Sequence, residues 1–347
     1  MKNKKNKKHN KKYLLFFALL FVLLEAASFI TYCASYRSSQ NEIINRDSVQ
    51  LNFQGEKDNL FDLVVLGDSL SYSSFSTITL WQDRGISAYV LGIPGEKITE
   101  AKRLLAEAMQ TQTPKAIVLE TNLLYRKLNQ KSVVRNDMLE KFQRSFLIFQ
   151  YHNCWKQLLH LRGGSDYFAY YRGYRAYTQH EPVEDISDYM KESSREKKIE
   201  SVNLKVFDEL VQMCREKDLP LILYSAPSPK CYSMSKHNRI QALADQYGLT
   251  YVDLNMSAEE MGIDWERDFR DGGDHLNEYG APKAMKVLEK TLDALNLPDR
   301  RGDSDQQEWD ERVNEYTQRF KDREKAEGSP EEETETDAAN KVPGEAV

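Results

Sequence analysis

The sequence predicts an α/β protein, a three-layer αβα sandwich around a five-stranded parallel sheet, with an N-terminal transmembrane helix. Two observations carry the prediction. Short apolar runs of the length of buried strands alternate with amphipathic helical stretches, and alternating βα units require a parallel sheet covered by helices on both faces. Ahead of them lies one long apolar run preceded by lysines.

That N-terminal part reads first. Residues 1–12 form a basic tail with seven lysines, and residues 13–34 are almost wholly apolar apart from Glu25. About 20 such residues span a bilayer. Lysines before the span hold that end in the cytoplasm, so the rest of the chain is expected outside, as a single-pass protein of the cell membrane. The alternative is a cleaved signal peptide. The run is long for one, and no clean Ala-x-Ala site follows it, so an uncleaved signal anchor is preferred. Residues 35–57 are polar and read as a stalk.

The domain proper is expected over residues 58–298, about 240 residues and ample for one α/β core. Its strands are read at 62–66, 87–91, 115–120, 219–224 and 249–253. Helical spacing is clear over 98–112, where Ala101, Leu104, Leu105 and Ala108 share a face. It is equally clear over 196–217, through Ile199, Val202, Val206 and Leu210. Further helices are read at 235–247 and 280–295, and residues 71–85 form a short helical or irregular crossover. Between strand three and the helix at 196 lies an insertion, residues 123–195, far longer than a loop without a role. It is rich in tyrosine, with Tyr151, Trp155, Tyr167, Phe168, Tyr170, Tyr171, Tyr174 and Tyr177 interleaved with Arg162, Arg172 and Arg175. It reads either as a lid whose rings meet a sugar or acyl chain, or as a cap packing its aromatics on the domain. Residues 299–327 are charged and read as a helix, and the acidic residues 328–347 as disordered.

Net charge is −6 and strongly segregated, basic at the start and acidic at the end. The topology explains the basic cluster, so nothing implies nucleic acid. The cysteines, Cys33, Cys154, Cys214 and Cys231, make no disulfide framework. No Cys/His spacing suggests zinc, no glycine loop cradles phosphate, and no cofactor is implied.

The chemistry-bearing stretch is Phe61 to Leu70, which delivers a serine from a buried strand onto a tight turn. Gly67 permits the turn, and Asp68-Ser69 lie just past the strand's C-terminal end, where ligands bind in open α/β sheets. Ser69 becomes a nucleophile if a base reaches it; the bland reading is an Asp/Ser helix cap. Of six histidines, only His275 sits in a Gly/Asp-rich loop between a late strand and a helix.

Gly67-Asp68-Ser69-Leu70 resembles the first block of the SGNH (GDSL) hydrolase family. Gly92-Ile93-Pro94-Gly95, Thr121-Asn122 and Asp271-Gly272-Gly273-Asp274-His275-Leu276-Asn277 resemble the other three, in order, over about residues 60–295. The resemblance implies a flavodoxin-like SGNH fold with Ser69 as nucleophile and His275 as base. It implies an oxyanion hole from the backbone of Ser69 and Gly95 and the side chain of Asn122. Two departures stand out. Block three reads Glu120-Thr121-Asn122-Leu123 where the family has Gly-x-Asn-Asp. In block four the usual aspartate position, three before the histidine, is Gly272, which leaves Asp271 and Asp274 as alternatives. Asp271 is favoured, because an adjacent side chain rarely curls back onto its neighbour's ring.

The first functional expectation is a membrane-anchored esterase or acyltransferase acting on O-acyl groups of a cell-surface polysaccharide or teichoic acid. The resemblance to teichoic-acid D-alanine transfer and polysaccharide O-acetyl-transfer proteins implies it. One candidate partner is a membrane O-acyltransferase. The second expectation is an esterase or lipase for small soluble esters, and the third an inactive surface scaffold that keeps the fold.

Overall fold

In the computed structural model, which describes residues 2–39, 46–128, 148 and 168–328, the five apolar runs form one parallel sheet. Its strands are β1 (Leu63–Gly67), β2 (Ala88–Gly92), β3 (Ala116–Glu120), β6 (Leu221–Ser225) and β7 (Thr250–Asp253), in the order β2-β1-β3-β6-β7. A separate antiparallel hairpin comprises β4 (Phe168–Tyr171) and β5 (Tyr174–Tyr177). The central strands β1 and β3 are buried throughout, which is why they read as continuous apolar runs.

Alternate strand residues feed two cores. Val64, Leu66, Ile117, Leu119 and Leu223 pack with the apolar faces of α5 (Ile98–Thr111), α6 (Ser201–Arg215) and α7 (Met234–Tyr247). Leu63, Val65, Val118 and Ile222 face the other way. There they meet Leu70 and Leu80, from α3 (Ser69–Ser74) and α4 (Thr77–Arg84), and Ala284 and Leu288 of α9 (Gly280–Leu292). A short α8 (Ala258–Met261) precedes α9. The chain runs from β1 out to β2 and then returns past β1 to β3. This reversal puts the topological switch point, the usual ligand crevice, at the C-terminal ends of the central strands.

Helix α1 (Lys2–Ser39) contains Lys11–Thr31, 21 residues long and apolar enough to cross a membrane. The segment read as a stalk holds a second helix, α2 (Arg46–Gln54), whose Val49 and Phe53 are buried. The Phe53 ring meets Tyr89 edge-on at 4.9 Å and stacks on Phe61 at 5.9 Å. The core therefore begins before residue 58. Val49, Leu51 and Phe53 alternate with polar residues, a period of two that suits a strand better than a helix, so the pattern did not announce this helix.

Of the insertion, residues 123–128, 148 and 168–195 are described, the hairpin among them. Arg172 and Gly173 form its turn at positive φ, and a Cβ on Gly173 would lie 1.8 Å from the Val90 carbonyl oxygen. The Val90 N–H donates to the Arg172 carbonyl at 2.9 Å, so the hairpin covers the open edge of β2. Tyr171, Tyr174 and Tyr177 are buried, which is the packing reading for these three. Tyr151, Trp155, Arg162 and Tyr167 lie outside the described residues, as do Cys154 and residues 329–347. Residues 301–347 form a second unit, in which α10 (Gln307–Gly328) is helical.

Candidate active site

The site grows from the β1–α3 turn. Gly67 has φ 156°, and a Cβ there would come within 2.6 Å of the Glu120 Cβ and 2.7 Å of the Ser71 Cβ, so only glycine lets the chain turn this close to β3. Asp68, fully buried, caps α3 by accepting the Leu70 N–H at 3.0 Å. Ser69 then opens the helix, where its own N–H has no intrahelical acceptor.

The second half comes from the loop before α9. The Arg270 N–H donates to the His275 carbonyl at 2.9 Å, Phe269 and Leu276 form an antiparallel bridge, and Gly272 and Gly273 make the turn at φ 65° and 98°. This fold-back returns the Asp271 carboxylate to His275. One oxygen accepts the His275 backbone N–H at 2.8 Å and the other lies 2.6 Å from Nδ1. A carboxylate at Nδ1 fixes the proton on that nitrogen and leaves Nε2 as an acceptor. Nε2 lies 2.7 Å from Ser69 Oγ, so the hydroxyl donates to it. Asp274 is 3.6 Å from Nδ1 and instead accepts the Cys231 thiol at 3.1 Å. Of the two candidate aspartates, Asp271 holds the ring.

Electrostatics follow from these contacts. Burial raises the Asp271 carboxyl, but hydrogen bonds and charge from His275, with Arg270 beside it, outweigh burial and hold it well below the usual carboxylate range. The Arg270 guanidinium is 3.1 Å from that carboxylate and lies 3.9 Å over the Tyr177 ring. The hairpin thus supports the acid through Arg270. Burial, with Asp274 beside it, pushes the Cys231 thiol up to about 12, which keeps it protonated. The ligand atoms of Asp271, Asp274 and His275 lie within 4.8 Å of one another, yet both carboxylates already have protein partners.

Ser69, Gly95 and Asn122 follow the C-terminal ends of three neighbouring strands, since Gly67 pairs with Gly92 and Leu66 with Leu119. Gly95 sits in a turn at φ 64°. The buried Glu96 pins that turn by accepting the Ile93 N–H at 3.0 Å. A Cβ on Gly95 would touch nothing within 4 Å, so conformation rather than space asks for glycine there. Asn122 is held at three points. Its backbone N–H donates to Glu120 at 2.9 Å, its Nδ2 to Asp68 at 2.8 Å, and its Oδ1 accepts from Lys236 at 3.0 Å.

Four neighbours escaped the sequence reading. Arg126 forks onto Asp68 at 2.8 and 2.5 Å, and Asn203 fixes the carbonyls of Leu124 and Arg126 at 2.7 and 2.8 Å. Lys236 reaches Asn122 from α7, and the Tyr232 hydroxyl donates to Glu120. Nothing local in the sequence marks these residues, because each partner lies on a different element.

No family model matches the chain, and no curated protein matches it. Solved structures with a similar backbone include a lipase/acylhydrolase from Enterococcus faecalis, 10% identical over 70% of this chain and 100% of that one, with a TM-score of 0.38. A family 3 carbohydrate esterase from Clostridium thermocellum is 14% identical over 67% and 96%, with a TM-score of 0.35. A GDSL-like lipase from Bacteroides thetaiotaomicron is 11% identical over 67% and 87%, with a TM-score of 0.34.

Proposed function

We propose that this chain is a serine esterase or acyltransferase of SGNH type, anchored in the cell membrane by its N-terminal helix. It acts there on O-acyl groups of an extracytoplasmic polymer. The observation that carries the reading is the continuous line Ser69–His275–Asp271, with hydrogen bonds of 2.7 and 2.6 Å. Such a line serves acyl transfer.

Ser69 Oγ attacks the acyl carbonyl while His275 Nε2 takes its proton. Asp271 keeps the imidazole oriented and stabilises the imidazolium. The tetrahedral oxyanion is met by the N–H groups of Ser69 and Gly95 and by Asn122 Nδ2, each donor worth about 3 kcal/mol of barrier. On collapse His275 returns the proton to the leaving alcohol, and an acyl group remains on Ser69. Water or an acceptor hydroxyl, deprotonated by the same histidine, then releases it. These residues serve hydrolysis and transfer alike, and a membrane O-acyltransferase is a fitting donor partner for the second. The polymer substrate, a polysaccharide or teichoic acid, is supported by the span Lys11–Thr31 and the lysines before it. An inactive scaffold has less support, since the altered fourth block still brings a carboxylate to His275.

The test is hydrolysis of p-nitrophenyl acetate by the purified full-length chain. Turnover by the wild type that vanishes in Ser69→Ala is expected. Equal turnover in both would remove Ser69 from the chemistry.

A further inference from the structure

Lys236 lies near the N-terminus of α7, partly buried, with its ammonium 4.6 Å from the Tyr125 ring centre and 5.2 Å from that of Tyr232. Among the described residues no carboxylate comes within ion-pair distance of the ammonium, and its one side-chain hydrogen bond there is to Asn122 Oδ1 at 3.0 Å. A cation withdrawn from water without a paired anion costs stability, and burial accordingly lowers its proton affinity. Arg126 already pairs with the fully buried Asp68. Lys236 is therefore held where it is of little use as a salt bridge, against one end of one amide.

That amide is clamped by groups of opposite character. An ammonium can only donate and a carboxylate can only accept. Lys236 at the oxygen end and Asp68 at the nitrogen end thus permit one orientation of the Asn122 side chain. The flipped amide would set two donors against each other at one end and two acceptors at the other. One Nδ2 hydrogen goes to Asp68, and the second remains for an oxyanion. A cation on the carbonyl oxygen also draws electron density from the amide nitrogen, so the remaining N–H donates more strongly, the more so in a low-dielectric surrounding.

We infer that Lys236 is a positioning residue for the reaction: it fixes and polarises the Asn122 amide so that its free N–H stabilises the oxyanion. The inference rests on the serine-enzyme reading above and goes beyond it. Lys236 touches neither Ser69 nor His275 in the hydrogen-bonded line and acts only through Asn122.

The experiment compares the full-length wild type with Lys236→Met, Lys236→Gln, Lys236→Arg and Asn122→Ala, and with the double variant Lys236→Met/Asn122→Ala, on p-nitrophenyl acetate. Removing one oxyanion donor costs on the order of 10²–10³ in kcat, and Lys236→Met should cost about 10–100-fold, with KM changed less than about twofold. Lys236→Arg should recover most of the loss, and Lys236→Gln, which keeps a donor but no charge, should fall between. In the Asn122→Ala background Lys236→Met should add nothing, because the amide it acts on is gone. Losses that multiply in the double variant, or a Lys236→Met kcat within about twofold of wild type, would overturn the inference. So would a defect confined to KM for esters carrying an anionic group, which would mark Lys236 as a substrate contact. If Lys236→Met does not fold, Lys236→Gln decides, and wild-type kcat in that variant contradicts the polarising role. A wild type whose Ser69 takes no fluorophosphonate overturns the serine-enzyme reading and this inference together. A labelled wild type with indifferent Lys236 variants overturns this inference alone.

Discussion

Glu120 ends β3 with no exposed surface, in the place where the pattern that the sequence resembles has glycine. Burial, with Asp68 nearby, raises its carboxyl to about 8, although Tyr232 and the N–H groups of Asn122 and Ala226 hydrogen-bond to it. The folded protein therefore keeps a proton that the unfolded chain, at about 4.5, has released. More protons bound to the folded state mean that stability falls as pH rises between those two values. Glu120→Gln keeps an acceptor for the Asn122 N–H but cannot ionise. We expect the variant to gain on the wild type in urea midpoint between about pH 5 and about pH 8. A constant difference across that range would show that Glu120 does not hold its proton. The sequence displayed Glu120 as a departure and hid its meaning, because burial and the approach of Tyr232 depend on β6 and its following loop. Lys236 and Arg126 were invisible for the same reason: a cation's partner cannot be read from its neighbours in the chain.

At the scale of elements, the loop 268–277 carries the sharpest expectation. Two adjacent glycines between Asp271 and Asp274 marked a tight return, and both do adopt positive φ. The geometry assigns them different neighbours, Asp271 to His275 and Arg270, Asp274 to Cys231. Asp271→Asn should lower kcat about 10⁴-fold, since an amide at Nδ1 favours the wrong imidazole tautomer. Asp274→Asn should cost less than about tenfold, because it leaves that tautomer alone. Comparable losses in the two variants would mean that both carboxylates share the ring. Strands and amphipathic helices were legible because burial on two faces, or on one, leaves a local period. Helix α2 and the β4–β5 hairpin were not. The first carries Val49, Leu51 and Phe53 at a strand-like period of two, and the second uses its tyrosines to seal an edge that local sequence cannot see.

For the whole molecule, the order of elements fixed the parallel sheet, and the sheet in turn gathers residues more than 200 positions apart in the chain. Ser69 and His275 meet across 206 residues. The N-terminal helix adds a direction to that architecture. If its lysine-rich end is inside, protease added to intact cells should remove the domain that holds the sheet, and a domain protected until lysis would contradict the anchor reading.

The measurement closest to the central claim is covalent labelling of the purified full-length chain with a fluorophosphonate, with the adduct located by peptide mass spectrometry. One adduct is expected, on Ser69, formed by the wild type, absent in Ser69→Ala and strongly slowed in His275→Ala. An adduct on another serine, or labelling that persists in Ser69→Ala, would contradict it.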